Sequence, residues 1–280
     1  MPKDLTKRSE EEIKKMKPLL DKWVDRIEEP DYIDSDPILF MHAFQDKEDQ
    51  LLAGFFAATM AWGRRDVVIR KVQDFLDRMD NRPAEFIANF TDRDAKRFEG
   101  FKHRTFKPID MKWLTKILQS ILLDYGSFET FWANCYQQAQ ENGRPLMTVF
   151  HEQFFAQHPE APQRTRKHVS NADKKSSCKR LYLFLRWAVR KQSPVDLGLM
   201  DFIPQSELMV PLDVHVARQA RALGLLSRTY NDWWAVQELT EALRLLDPED
   251  PAKYDYALFG LGIHSNSIPD EIIVNPSVLN

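Results

Sequence analysis

The chain has 280 residues, 43% hydrophobic and 29% charged, the balance of a folded globular protein with a sizeable core. Its formal net charge of −3 excludes a wholly basic, histone-like nucleic-acid binder but leaves room for a local basic surface. Two cysteines, Cys135 and Cys178, exclude a disulfide framework and cannot unaided hold an iron–sulfur cluster or a structural zinc. The opening MPKDLTKRSEEEIKKMK is charged, and no apolar run approaches the ~20 residues of a membrane span. The expectation is a cytoplasmic protein with reduced thiols and no membrane partner.

In chain order, Ser9 and Glu12 form a capping-box start, and an amphipathic helix is expected to run to about Glu28, ended by Pro30. QLLAGFFAATMAW is apolar nearly all round and predicts a buried helix, interrupted by Gly63. RRDVVIRKVQDFLDRM continues with one apolar stripe. Further helices fit PAEFIANF, DMKWLTKILQSILLDYG, ETFWANCYQQAQ and LMTVFHEQFFAQH, with HPEAPQ as a linker. CKRLYLFLRWAVRK is another buried helix, and QSPVDLGLMDFIPQSELMVP a loop with a short helical turn. DVHVARQARALGL is closed by Gly224, and DWWAVQELTEALRLL stops at Asp247-Pro248. Asp250 and Pro251 are the N-cap and first residue of AKYDYALFGLGI. With no period-2 pattern or internal repeat, the prediction is an all-α fold of roughly twelve helices.

Charge is unevenly spread. Between Gln163 and Gln192 stand ten Lys/Arg residues against one acid, Asp173. Such a run is either a solvated face or an anion-binding one. Lys179, Leu183, Arg186 and Arg190 share one side of the lysine helix, so one edge of it is basic. Lys179 opposes the helix dipole, and Lys174, Lys175 and Arg180 are close in sequence. These influences disfavour its ammonium, as a nucleophilic amine requires. The alternative is a lysine that simply extends to solvent. Asp213 stands at the first turn of its helix, where a carboxylate caps backbone N–H groups and also stays ionised. His215 is expected to face the protein. His151 and His158 share a helix face and, without a third ligand, read as surface residues.

At these residues the chain resembles a family. PLDVHVARQARALGL is similar to the V-D-T-H-V-x-R-V segment, followed by x-R-L-G-L, of the helix–hairpin–helix DNA glycosylases. KRLYLFLR resembles the K-E-A-S-H-F-L-R pattern of their 8-oxoguanine branch. LLAGFFAATMAWGRRDVVIRKVQDFL and KYDYALFGLG resemble early and closing helices of the same fold. The whole chain also resembles a family of uncharacterised bacterial proteins sharing CKRLxxFLRW and PLDxH signatures. The resemblance implies a two-lobed helical unit, with a central lobe over 46–192 and a terminal lobe from 1–45 and 193–280 that carries Asp213.

It further implies a monomeric base-excision glycosylase and abasic-site lyase acting on damaged double-stranded DNA, such as DNA containing 8-oxoguanine, without a metal or organic cofactor. Lys179 would attack the sugar and Asp213 would stabilise its positive charge. Lys174, Lys175, Ser176, Ser177, Arg180, Arg186 and Arg190 would contact DNA. Trp62, Trp187, Tyr256 and Phe259 would sandwich an extruded base, core packing being the alternative for each. Three departures stand out. SNADKKSSCKR lacks the glycines of the L-P-G-x-G hairpin, 34 positions separate Lys179 from Asp213, and the four-cysteine cluster loop of endonuclease III is missing. A DNA-binding protein without turnover and a helical scaffold for a protein partner are the competing classes.

Overall fold

A computed structural model describes residues 5–264 and 269–279, and among them there are helices and turns but no extended strand. The all-α expectation holds, with fifteen α-helices, several of a single turn. In chain order they are α1 (Glu10–Lys14), α2 (Lys17–Ile27), α3 (Asp31–Asp34), α4 (Leu39–His42), α5 (Lys47–Met60), α6 (Arg65–Asp77), α7 (Pro83–Ala88) and α8 (Pro108–Tyr125). They continue with α9 (Phe128–Asn142), α10 (Leu146–Ala156), α11 (Gln163–Arg166), α12 (Lys179–Val189), α13 (Val214–Ala222), α14 (Trp233–Arg244) and α15 (Tyr254–Ile263). No helix of the described residues is long and apolar enough to cross a membrane.

The capping box forms as expected: Glu12 N–H donates to Ser9 Oγ while the Glu12 carboxylate accepts from Ser9 N–H. The first helix does not run unbroken to Glu28. It stops at Lys14 and restarts at Lys17, because Pro18 has no N–H to continue the ladder and fits only a first turn.

The chain divides into two compact units, 1–32 with 174–198 and 204–280, and 33–173 with 199–203. This differs from the expected division, since the lysine helix clusters with the segments that carry Asp213 rather than with 46–173. The second of these units packs α5, apolar on every side, against α4, α6, α7 and α9. Its core is aromatic: Phe55, Phe128, Phe131, Trp132, Phe150 and Phe154 meet through edge and stacked contacts, Trp132 lying 3.8 Å from Phe150.

The first unit is built around α15, against which α2 and α13 pack. Gly260 permits the close approach of α2, since a Cβ there would collide with Ile27. Gly224, just beyond α13, adopts φ +72°, a left-handed residue after the helix as its sequence predicts. The same end of α13 is held by both terminal segments. Arg8 Nε donates to Leu223 O at 3.0 Å, and Asn275 Nδ2 donates to Arg221 O at 2.7 Å. Thr6 N–H in turn donates to Asn275 Oδ1 at 2.9 Å.

Candidate active site on the lysine helix

The approach to α12 is tightly wound. Lys175 and Cys178 both take left-handed backbone, at φ 63° and 50°, so two non-glycine residues make the turns that lead into the helix. Cys178 N–H donates to Ser176 Oγ at 3.2 Å, and Trp233 N–H donates to Lys175 O at 3.3 Å. Ser176 also bridges antiparallel to Asp232, which ties this loop to the start of α14. The Cys178 thiol is buried, and burial pushes it up to about 12, which leaves it a protonated packing group.

Lys179 is the first residue of α12, and Asp213 is the N-cap of α13. The structure brings them together, with Lys179 Nζ 3.3 Å from Asp213 Oδ2. The side chains are 32% and 19% exposed, so the pair is half-buried yet reachable from solvent. Asp213 divides its work, since Oδ1 accepts Val216 N–H at 2.8 Å while Oδ2 faces the amine. The helix N-terminus and its capped N–H fix this carboxylate's orientation. From sequence, only like charges surrounded Lys179; in the fold a carboxylate faces it.

The rest of the basic edge has a different fate. Arg186 and Arg190 are 1% and 3% exposed and cannot serve as DNA contacts. Arg186 pairs with Asp255 and approaches Asp196 Oδ1 at 3.5 Å, its guanidinium lying 4.0 Å from the centre of the Tyr256 ring. Arg190 is held by Glu28 at 2.7 Å, by Asp250 at 2.9 Å, and by Asp196. Asp250 therefore does not cap the helix that follows, because Arg190 takes its carboxylate. Tyr256 OH donates to Asp196 Oδ1 at 2.8 Å. The acids are Glu28 just after α2, Asp196 in the loop after α12, and Asp250 and Asp255 before and within α15; all but Asp196 are far from the basic run in sequence.

Among these acids Asp255 is set apart. Burial pushes its carboxyl up to about 6; Arg186 opposes the shift, the Asp213 charge adds to it, Lys179 opposes it and Asp196 adds. A buried acid that holds its proton to near-neutral pH thus responds to both members of the half-buried pair.

Of the other DNA candidates, Lys174 and Lys175 are exposed, and Ser176, Ser177 and Arg180 are half-buried. Burial lowers the Arg180 guanidinium to about 10. Of the base-pocket candidates, Trp187 and Tyr256 are fully buried core residues and cannot receive a base without rearrangement. Phe259 is half-buried, 6.2 Å edge-on to Tyr32. Trp62 is 45% exposed and lies in the unit that does not hold Lys179, with the Arg104 guanidinium over its ring at 5.1 Å. Two histidine expectations also fail. His215 is exposed, because α13 turns its buried face with Val216, Ala217 and Ala220. His151 is buried, its Nδ1 bonded to Val169 O at 2.8 Å.

The sequence analysis missed Trp234, whose ring lies under Lys175 of the lysine loop, and its neighbours Arg228 and Tyr230. A signal was present: Trp234 falls off the apolar stripe of α14 and on its polar side with Glu238 and Glu241. Among the described residues no group of three or more His, Cys, Asp or Glu is placed to hold a metal ion. No curated protein and no solved structure matches the chain. Lys179 and Asp213 both fall within residues 36–264, over which the chain matches the model of the family described as "Protein of unknown function (DUF2400)", and the chain belongs to that family.

Proposed function

We propose that this protein is a DNA base-excision glycosylase with associated lyase activity, its substrate a damaged duplex carrying an oxidised purine of the 8-oxoguanine type. One observation carries the reading: an accessible lysine amine stands 3.3 Å from a carboxylate fixed at a helix N-terminus. The resemblance of both segments to helix–hairpin–helix glycosylases supports it. So do the left-handed Lys175 and Cys178, which wind the loop where that family uses glycines.

The chemistry follows from the pair. Asp213 accepts a proton from the Lys179 ammonium, and the freed Nζ lone pair attacks C1′ of the extruded nucleotide. The C1′–N bond breaks, and its electron pair leaves with the base, which takes up the proton from Asp213 and so restores the carboxylate. Positive charge develops on the sugar as this happens. A carboxylate about 4 Å from a unit charge stabilises it by about 4 kcal/mol at an effective dielectric of ~20, roughly a thousandfold in rate. The Lys179 nitrogen then forms a double bond to C1′ as the C1′–O4′ bond opens, and O4′ takes a proton. Loss of a C2′ proton from this Schiff base expels the 3′ phosphate and cuts the strand.

The test is borohydride trapping on duplexes with 8-oxoguanine, uracil or an abasic site. The wild type forms a covalent adduct on at least one of them, and Lys179→Ala forms none. Asp213→Asn keeps DNA binding but loses base release by about a hundred- to a thousandfold. No adduct on any substrate removes the lyase reading, and equal trapping by Lys179→Ala removes the nucleophile. DNA binding without turnover is the second reading, favoured by the same ion pair, since an amine held on a carboxylate is a poor nucleophile.

A further inference from the structure

The segment from 228 to 234 is firmly built and meets the lysine loop through Asp232, Trp233 and Trp234. Arg221, from the last turn of α13, donates through Nε to Arg228 O at 2.7 Å and through Nη2 to Asn231 Oδ1 at 2.6 Å. Ser227 is fixed by Glu238, and Arg228 makes a two-pronged ion pair with Asp232 at 2.6 and 2.5 Å. Asp232 is also the residue that bridges to Ser176 and caps α14 through Ala235 N–H.

On this frame stand two aromatic residues that a folding core would not leave in water. Tyr230 is 73% exposed and Trp234 is 46% exposed. Lys175 Nζ lies 5.6 Å from the centre of the Trp234 ring, and the Arg228 guanidinium lies 5.2 Å from it. Lys174 is exposed beside Lys175, and Lys179 follows four residues later. The nearby acids, Asp213, Asp232 and Glu238, are each engaged by a cation of the same unit. Exposed rings interleaved with lysine and arginine, and held on a preformed loop, match the chemistry of an unpaired nucleic-acid strand. Its bases stack on aromatic faces, and its phosphates draw cations.

We propose that Tyr230 and Trp234, with Lys174, Lys175 and Arg228, form a stacking platform for unpaired bases beside the Lys179–Asp213 pair. This rests on the DNA reading of that pair and deepens it: the preferred substrate is DNA with an unpaired tract, rather than a continuous duplex. Each stacked base exchanges water on the rings for a ring–base contact, while Lys175 moves onto phosphate and Arg228 stays on Asp232 at the ring's edge.

Fluorescence anisotropy tests this with the full chain and three labelled DNAs: a fully paired duplex, the same duplex with a short unpaired bulge, and a single-stranded oligothymidylate. The wild type binds the bulged and single-stranded forms more tightly than the duplex. Trp234→Ala weakens those two by about tenfold or more, as loss of one stacked base predicts, and leaves duplex binding within about twofold. Tyr230→Ala acts in the same direction, and Trp234→Phe keeps most of the affinity because a ring remains. Lys175→Ala lowers the salt dependence of binding by about one counterion. Equal wild-type affinity for paired and unpaired DNA overturns the platform, as does an equal loss on all three DNAs in Trp234→Ala. If Trp234→Ala alters the fold, a Trp234→Phe protein with unaltered melting that binds no better than the alanine variant overturns it too. Failure to bind any DNA removes the platform and the DNA reading together. Selective binding of unpaired DNA without borohydride trapping leaves the platform standing and removes only the catalysis.

Discussion

The two ends of α12 carry the same kind of residue and put it to different use. At the start, Lys179 meets one carboxylate at a half-open position, and that carboxylate already serves a helix cap. Seven and eleven residues on, along the same basic edge, Arg186 and Arg190 are sealed among Glu28, Asp196, Asp250 and Asp255. A buried guanidinium with several acids around it cannot be removed without leaving their charges stranded. An exposed ion pair contributes little to stability and is free to react. Burial, more than charge, separates the part of this helix that holds the fold from the part available for chemistry.

The sharpest way to break this contrast is Arg190→Ala, which takes from the buried Glu28 and Asp250 the cation that holds them and should lower unfolding stability by about 3–5 kcal/mol, measured by urea denaturation. A loss under 1 kcal/mol would show that the arginine end is not structural. Next comes Asp255, whose folded carboxyl titrates at about 6, above its ordinary value near 3.8. The folded state therefore holds the proton more tightly, and this group's contribution to stability falls as pH rises from about 4 to 6, by on the order of 3 kcal/mol. Comparing wild type with Asp255→Asn across that range isolates the effect, and parallel curves would refute it.

Asp110, in the other unit, runs the opposite way. Burial opposes ionisation there, but His168, Arg164 and Thr165 hold the carboxyl down at about 2. Its stabilisation is present above pH 4 and is lost as pH falls through about 2, with a magnitude of about 2 kcal/mol that Asp110→Asn should abolish. Smaller again, Asp213→Ala should cost about 1 kcal/mol through the lost cap, whereas Asp213→Asn should cost little because asparagine caps as well. Smallest is Lys179→Ala, at under 1 kcal/mol. A melting shift as large as that of Arg190→Ala would place Lys179 with the structural cations and remove the contrast.

Much of this was legible in the chain itself. Helix positions came from periodicity and caps: the box at Ser9–Glu12, Gly224 after α13, and Asp213 at the N-terminus of α13 are all local signals. The basic edge of α12 was also legible as a stripe. Most of what that edge meets was not, because apart from Asp196 its acids stand at 28, 250 and 255 and only tertiary packing brings them to it. That is why Arg186 and Arg190 looked like anion contacts, and why Trp187 and Tyr256 looked available to a base. The glycine-free turns at Lys175 and Cys178 were likewise hidden, since neither residue type announces left-handed backbone. Trp234 was visible as an aromatic on a polar stripe, but its meaning depends on Lys175 and Arg228 lying over it.

The clamp on the far end of α13 has an engineering consequence. Thr6 and Asn275 are hydrogen-bonded neighbours, and Arg8 with Asn275 grips the helix whose other end presents Asp213. A designed cross-link between the two segments would therefore fit without moving either, and would tie stretches 269 positions apart in the chain. Such a closed clamp should steady the helix, while clipping residues 6–8 should let its far end fray and blur the aim of a carboxylate a full helix length away.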